Sequence, residues 1–328
     1  VIAGAPERSA SPFPADAAIA RRMAGLAASV GAAVAADVAG IGGGSVPART
    51  AAELVARHGL ASSVELALLT LPVAAAMARP PISGYRVGAV GIEAGTGDLL
   101  LGGNLEFPGS DLATTVHAEG FVSLRARRRG ATLATLATTE AHPCAHCRQT
   151  LAESAGAAGL SLVDPLGHVL TLRDLYPWPF VPAALAVPAD AAGRDNWPDL
   201  AFVAGPTGAP PADVAAALLA AGRLAHAPYS GAPSAVVVRV AGVAGVAGVA
   251  GRLMGAPCVE SVAFNPTITA LQAALVEVVA AGLEPAGITE GWLAMADGGA
   301  VNPEPGFRSL LTAVAPVSTS HVLRWRTS

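Results

Sequence analysis

Apolar residues at Ile19, Met23, Leu26 and Val30 recur at helical spacing through the Ala-rich segment 16–56. The run Gly40-Ile41-Gly42-Gly43-Gly44 interrupts it, so the pattern predicts a small helical region with a turn inside it. Residues 62–78 again read as helix, with a break or restart expected at Pro72 and an end before Pro80-Pro81, because proline offers no amide donor. The period then changes. Segments 85–92 and 98–102 are short β-prone runs around a hairpin loop at 93–97. A helix over 116–129, a strand over 133–139, a helix over 144–153 and a strand over 160–163 follow, and this alternation indicates a layered α/β domain.

A Pro-rich stretch over 176–211 separates this pattern from a second one. Ala227-Pro228-Tyr229-Ser230-Gly231 echoes Pro81-Ile82-Ser83-Gly84-Tyr85, residues 259–265 occupy the place of 102–107, and a helix is expected over 269–281 where the first half has 116–129. The chain therefore reads as a degenerate internal repeat. The expected organisation is an N-terminal helical region (1–60), a catalytic domain (61–185), a linker (186–211) and a degenerate second domain (212–328). The tract VAGVAGVAGVAG over 240–251 lacks the proline of a collagen-like segment and reads as a low-complexity hairpin insertion between two strands.

Composition narrows the possibilities. At 328 residues, length alone predicts two or three domains, and 52% hydrophobic against 13% charged residues supports a sizeable core. Mean hydropathy is +0.51, yet charged residues or prolines interrupt every apolar run before the roughly 18–20 residues a spanning helix requires. No basic region followed by an apolar core stands near Val1, and a cytoplasmic location is the expectation. Three cysteines are odd in number and too few for a disulfide scaffold, which points to reduced thiols with chemistry of their own. A net charge of −4 disfavours a polyanionic partner.

The chemistry is concentrated in two short motifs. His117-Ala118-Glu119 is followed by Pro143-Cys144-Ala145-His146-Cys147. One imidazole and two closely spaced thiols make a three-ligand zinc site whose fourth tetrahedral position stays open for water, as catalytic sites require. His117 and Cys144 fall near predicted helix starts, where the positive dipole end favours thiolate. Glu119 is the residue type and distance needed for a proton shuttle, and H-x-E with P-C-x-x-C is the general signature of zinc deaminases. A lone Cys-x-x-Cys would equally fit a redox pair or half of a structural zinc site.

These motifs, with Pro81-Ile82-Ser83-Gly84-Tyr85-Arg86-Val87-Gly88, Gly103-Asn104-Leu105-Glu106-Phe107 and Ala263-Phe264-Asn265-Pro266-Thr267, resemble those of the homodimeric, two-lobed cytidine deaminases of bacteria and plants, from about Leu71 onward. The resemblance implies a three-layer α/β/α sandwich, duplicated as a catalytic and a degenerate lobe behind a small N-terminal helical region. It implies one zinc per chain on His117, Cys144 and Cys147, with Glu119 catalytic. Asn104 and Glu106 would bind the ribose hydroxyls, with Tyr85 and Ala118 also on the substrate. For Tyr85, a core strand aromatic is the alternative. His142 stands where the family commonly has Thr or Ser, and Gly120 where it commonly has Gln. Arg148 would either donate to a zinc-bound thiolate or be a solvated helix residue. Leu271-Gln272-Ala273 falls where His117-Ala118-Glu119 would recur and no second Cys-x-x-Cys follows, so the second lobe is expected to hold no zinc and to complete the partner's pocket in a homodimer. Cys258 reads as a core thiol.

The expected function is hydrolytic deamination of cytidine and deoxycytidine in pyrimidine salvage, on a small-molecule nucleoside, away from membranes. The basic run Arg125-Ala126-Arg127-Arg128-Arg129 keeps two readings open, a solvated helix face or phosphate contacts of a single-stranded nucleic-acid deaminase. A non-catalytic, zinc-stabilised pseudoenzyme is the third reading, which the intact Glu119 opposes.

Overall fold

A computed structural model describes residues 11–26, 28–139, 142–189, 194–204, 209–241 and 251–327. The chain opens with helices α1 (Ala17–Gly25) and α2 (Ala28–Ile41), the two-residue strand β1 (Ser45–Val46), and helices α3 (Ala48–Arg57) and α4 (Ser63–Ala76). Asp16 caps α1 by accepting from the Ala18 and Ile19 amides. Gly42, Gly43 and Gly44 all adopt positive φ (70°, 66° and 60°), a conformation open to glycine at no steric cost, and they turn the chain from α2 into β1. Contrary to the break expected at Pro72, α4 runs through it. Pro72 is exposed, while Ala67, Thr70 and Ala74 on the opposite side are buried, so packing outweighs the roughly 3 kcal/mol an interior proline costs.

The first lobe continues with β2 (Gly88–Glu93), β3 (Leu99–Gly103), α5 (Ala118–Arg128), β4 (Leu133–Thr138), α6 (Ala145–Ala152), β5 (Ser161–Val163), β6 (Val169–Thr171) and the short α7 (Leu172–Leu175). Its sheet has the order β1-β3-β2-β4-β5-β6, antiparallel except for the parallel pair β4–β5. Strand β2 starts at Gly88, later than expected, and Tyr85 lies outside it. Helices α2, α3 and α4 cover one face of the sheet, and α5 and α6 the other. At Gly103 a Cβ would stand 2.4 Å from the Ala78 amide nitrogen, so a glycine lets the chain after α4 lie directly on β3.

After β7 (Ala201–Phe202), the second lobe repeats the plan with α8 (Ala212–Arg223), β8 (Ser234–Val240), β9 (Arg252–Pro257), α9 (Ala270–Ala280), β10 (Ile288–Ala296), α10 (Glu304–Val314) and β11 (Thr319–Arg326). Its order β7-β11-β10-β8-β9 mirrors β6-β5-β4-β2-β3, with β10–β11 as the parallel pair. The edge strand β7 comes from the Pro-rich stretch, which is a wall of the second lobe as well as a connection. Helix α8 covers one face and α9 and α10 the other. Residues 240–241 and 251 of the expected insertion flank the β8–β9 hairpin, and 242–250 lie outside the described residues. The lobes meet through α5 and α9 in a shared core that includes Phe121, Leu271 and Leu275.

Among the described residues no single helix is long and apolar enough to cross a membrane; α1 and α2 pass by length and composition only as a pair bent by 88°.

Candidate metal centre and active site

The site forms where two helices begin. Leu105 and Val116 exchange both backbone hydrogen bonds (2.8 and 2.9 Å), so the box Asn104-Leu105-Glu106 runs antiparallel beside Thr115-Val116-His117. His117 then serves as N-cap of α5, and Glu119 lies in that helix's first turn. Cys144 is the N-cap of α6, with Cys147 in its first turn. Neither side chain makes a capping hydrogen bond, and the two face each other across the gap.

His117 Nδ1 lies 3.4 Å from Cys144 Sγ and 3.4 Å from Cys147 Sγ, and the two sulfurs are 3.7 Å apart. A tetrahedral shell with bonds of about 2.3 Å to sulfur and about 2.05 Å to nitrogen places its donors about 3.6–3.8 Å apart, so the three atoms fit one zinc ion with a slight expansion. Without a metal, the two thiols share a proton unequally. The Cys147 thiol and His117 hold Cys144 down at about 3, while the hydrogen bond to Cys144 and burial push Cys147 up. The bond to Cys144 raises His117 as well. A divalent cation replaces that shared proton, and both helix N-termini favour the thiolates it needs.

Glu119 is buried, and burial holds its carboxyl above the usual range, with His117 and the Cys147 thiol pulling the other way. A carboxyl that holds its proton more tightly than usual is suited to giving and taking one. Ala118, between ligand and acid, is fully buried.

Asn104 and Glu106 organise the loop 82–87. The Asn104 amide donates to the Tyr85 carbonyl (2.9 Å) and accepts from the Val87 amide (2.9 Å). Glu106 accepts from the Ile82 and Ser83 amides (2.9 Å each) and from the Ser83 hydroxyl. Tyr85 is 46% exposed, so the core-aromatic alternative is not realised. Arg148 donates to the carbonyls of Pro143 (2.6 Å) and Leu175 (2.9 Å) and thereby fixes the loop leading into Cys144, which is neither of the roles expected for it.

Sequence reasoning missed the residues that tie this site to the second lobe. Buried Glu153, at the end of α6, accepts from Gln149 (2.8 Å), the Ser261 hydroxyl (2.6 Å) and the Val262 amide (2.8 Å). Gln149 in turn accepts from Tyr176 and donates to the Phe180 carbonyl. Gln272 of α9 donates to the Thr114 carbonyl, three residues before His117. Gln272 is signalled in the sequence as a polar residue in a largely apolar helix, whereas Gln149 and Glu153 stand among polar residues and carry no such signal.

The expected solvated face at 125–129 holds for Arg128 and Arg129, which are exposed, and is corrected at Arg125. Arg125 is buried and donates to the Gly43, Gly44 and Leu101 carbonyls. Arg127 reaches the Leu224 carbonyl, Arg128 the Gly255 carbonyl, and Arg129 pairs with Glu93 and Asp98. The run bolts the helical region and both lobes together.

In the second lobe Val259 pairs with Ile268 as Leu105 does with Val116, so Thr269, Ala270 and Leu271 stand where His117, Ala118 and Glu119 do. This corrects the expected register by two residues. Cys258, buried as expected, takes the place of Asn104, and Glu260 accepts from Tyr229 and Ser230 as Glu106 does from Ile82 and Ser83. Pro303-Glu304-Pro305-Gly306-Phe307-Arg308 repeats the frame from Pro143 to Arg148 with Glu304 and Phe307 in the cysteine places.

The zinc-binding region of cytidine and deoxycytidylate deaminases matches this chain twice, at residues 62–159 and 207–304. A cytidine deaminase of Proteus mirabilis is 34% identical over 225 residues, covering 66% of this chain and 69% of the relative. The chain belongs to the cytidine deaminase family. Cytidine deaminases of Shewanella amazonensis and Shewanella oneidensis extend the likeness, at 31% identity over 80% of this chain and 83% of the relative, and at 30% over 85% and 89%. The zinc-binding region is thus matched twice, and His117, Cys144 and Cys147 of the first lobe form a candidate metal site.

Proposed function

We propose that the chain is a zinc-dependent cytidine and deoxycytidine deaminase acting in pyrimidine salvage. The observation that carries this reading is the convergence of His117, Cys144 and Cys147 within one coordination shell, with the buried acid Glu119 beside them. Bound zinc supplies Lewis acidity, lowering the pKa of water towards about 7. Glu119 takes the proton of the attacking water and delivers protons to the ring nitrogen and the departing amine. The C4–N bond is exchanged for a C4–O bond, ammonia leaves, and uridine or deoxyuridine results. Asn104 and Glu106 hold the loop 82–87 and offer their remaining acceptor capacity to sugar hydroxyls. Tyr85 and the backbone around Ala118 border the base.

The working form is a homodimer. Ile82 (51% exposed) and Tyr85 (46%) leave the substrate side of the site open in a single chain, and a second copy's degenerate lobe is the wall that closes it. The free thiols suit the reducing cytoplasm. A nucleic-acid substrate is disfavoured because the arginines of 125–129 are spent on carbonyls and carboxylates of the chain itself.

The test is a panel of cytidine, deoxycytidine, cytosine, CMP and a short single strand with the zinc-loaded protein. Loss of the cytosine chromophore with the two nucleosides and not with the strand is expected. Turnover of the strand alone, or of none of the five, overturns the reading.

A further inference from the structure

Because β4 and β5 are parallel neighbours, the loops that follow them lie side by side. The first carries His142. The second, the β5–β6 turn, carries Asp164 and His168. Asp164 Oδ1 accepts from the Leu166 and His168 amides (2.9 and 3.1 Å), and its Oδ2 lies 2.7 Å from His168 Nδ1. The His142 ring stands edge-on to His168, with centroids 5.4 Å apart. One donor atom from each of the three residues falls within 4.8 Å of the others, and Asp164 and His168 are buried. Phe13 packs against His142 (6.1 Å between centroids) and the Asp16 amide donates to the Gly167 carbonyl, so the N-terminal segment closes over the cluster.

Stapling a hairpin turn requires Asp164 alone; the His142 imidazole, edge-on to His168, is unexplained by that role. We propose that His142, Asp164 and His168 form a second, non-catalytic site for a divalent first-row transition ion. Two imidazoles and one carboxylate suit such ions, and at bond lengths of about 2.1 Å donors at right angles stand about 3 Å apart. The Asp164–His168 pair is already near that spacing, and rotation of the His142 side chain brings in the third donor. The ion takes the place of the proton between Asp164 and His168. Cys144 follows two residues after His142 with its sulfur turned to His117, so the second ion pins the loop leading into the catalytic centre without joining it.

The experiment is metal counting on the full chain loaded with Co2+, with the thiolate-to-cobalt absorption band reporting the catalytic site separately. Two ions per chain are expected in the wild type. His142→Thr is expected to hold one, with the thiolate band unchanged, and His168→Asn to do the same. One ion per chain in the wild type, two in His142→Thr, or a lost ion accompanied by a lost thiolate band would each overturn the proposal. A wild-type protein that binds cobalt without any thiolate band would instead refute the zinc ligands assigned to the catalytic centre.

Discussion

The two lobes share strand order, paired helices and even the carboxylate that holds a serine-bearing turn, Glu106 in one and Glu260 in the other. They differ where α5 and α9 begin. Thr269 caps α9 and forms a reciprocal capping box with Gln272, whereas His117 contributes no cap to α5. Leu271 is a fully buried apolar residue where Glu119 buries a carboxyl. In place of the helix cap and apolar core residue of the second lobe, the first lobe carries His117 and Glu119, the residues proposed as metal ligand and acid. Chemistry on this fold is therefore a small set of locally unfavourable residues held by a scaffold that does not need them.

Several substitutions would sharpen that contrast. Cys147→Ser gives the first lobe the second's inability to hold zinc; thiolate-bound metal and cytidine turnover should both fall to background, measured by metal analysis and absorbance. Glu153→Ala strands the Val262 amide and the Ser261 hydroxyl in the interface between the lobes and should cost about 3 kcal/mol in urea unfolding, with Glu153→Gln recovering part of it. Thr269→Ala, which removes a cap that the first lobe lacks, should cost about 1 kcal/mol and leave KM for cytidine unchanged.

The smallest effect has the opposite sign. Burial raises Glu119 above its ordinary 4.5, so the folded metal-free chain retains a proton that the unfolded chain releases. Its contribution to stability falls as pH rises from that value through the folded one. Glu119→Gln should therefore raise the Tm of the metal-free protein at pH 7, with the advantage vanishing below the ordinary carboxylate range.

Much of this was readable beforehand because the zinc motifs are local. His117 and Glu119 are two residues apart, Cys144 and Cys147 three, and each pair needs only one helix start to be placed. The layered α/β plan was equally visible in the alternation of periods. What could not be read depends on residues far apart in the chain. The arginines of 125–129 have the composition of a solvated or phosphate-binding face, and only the meeting of α5 with the glycine turn at 42–44 and with the second lobe draws Arg125 and Arg127 onto backbone carbonyls. Pro72 marks a break by local rule, yet burial of the opposite face of α4 carries the helix through. The repeat is legible in the sequence, but its register there is two residues off, because the pairing of Val259 with Ile268 sets it.

The central claim, that Glu119 beside a zinc held by His117, Cys144 and Cys147 deaminates cytidine, is tested most directly by ammonia release from cytidine in the Glu119→Ala protein with its thiolate-bound zinc retained. The wild type should release ammonia and uridine in equal amounts, and Glu119→Ala should be slower by at least about a thousandfold. Turnover by Glu119→Ala within tenfold of wild type, or none by the zinc-loaded wild type, would contradict it.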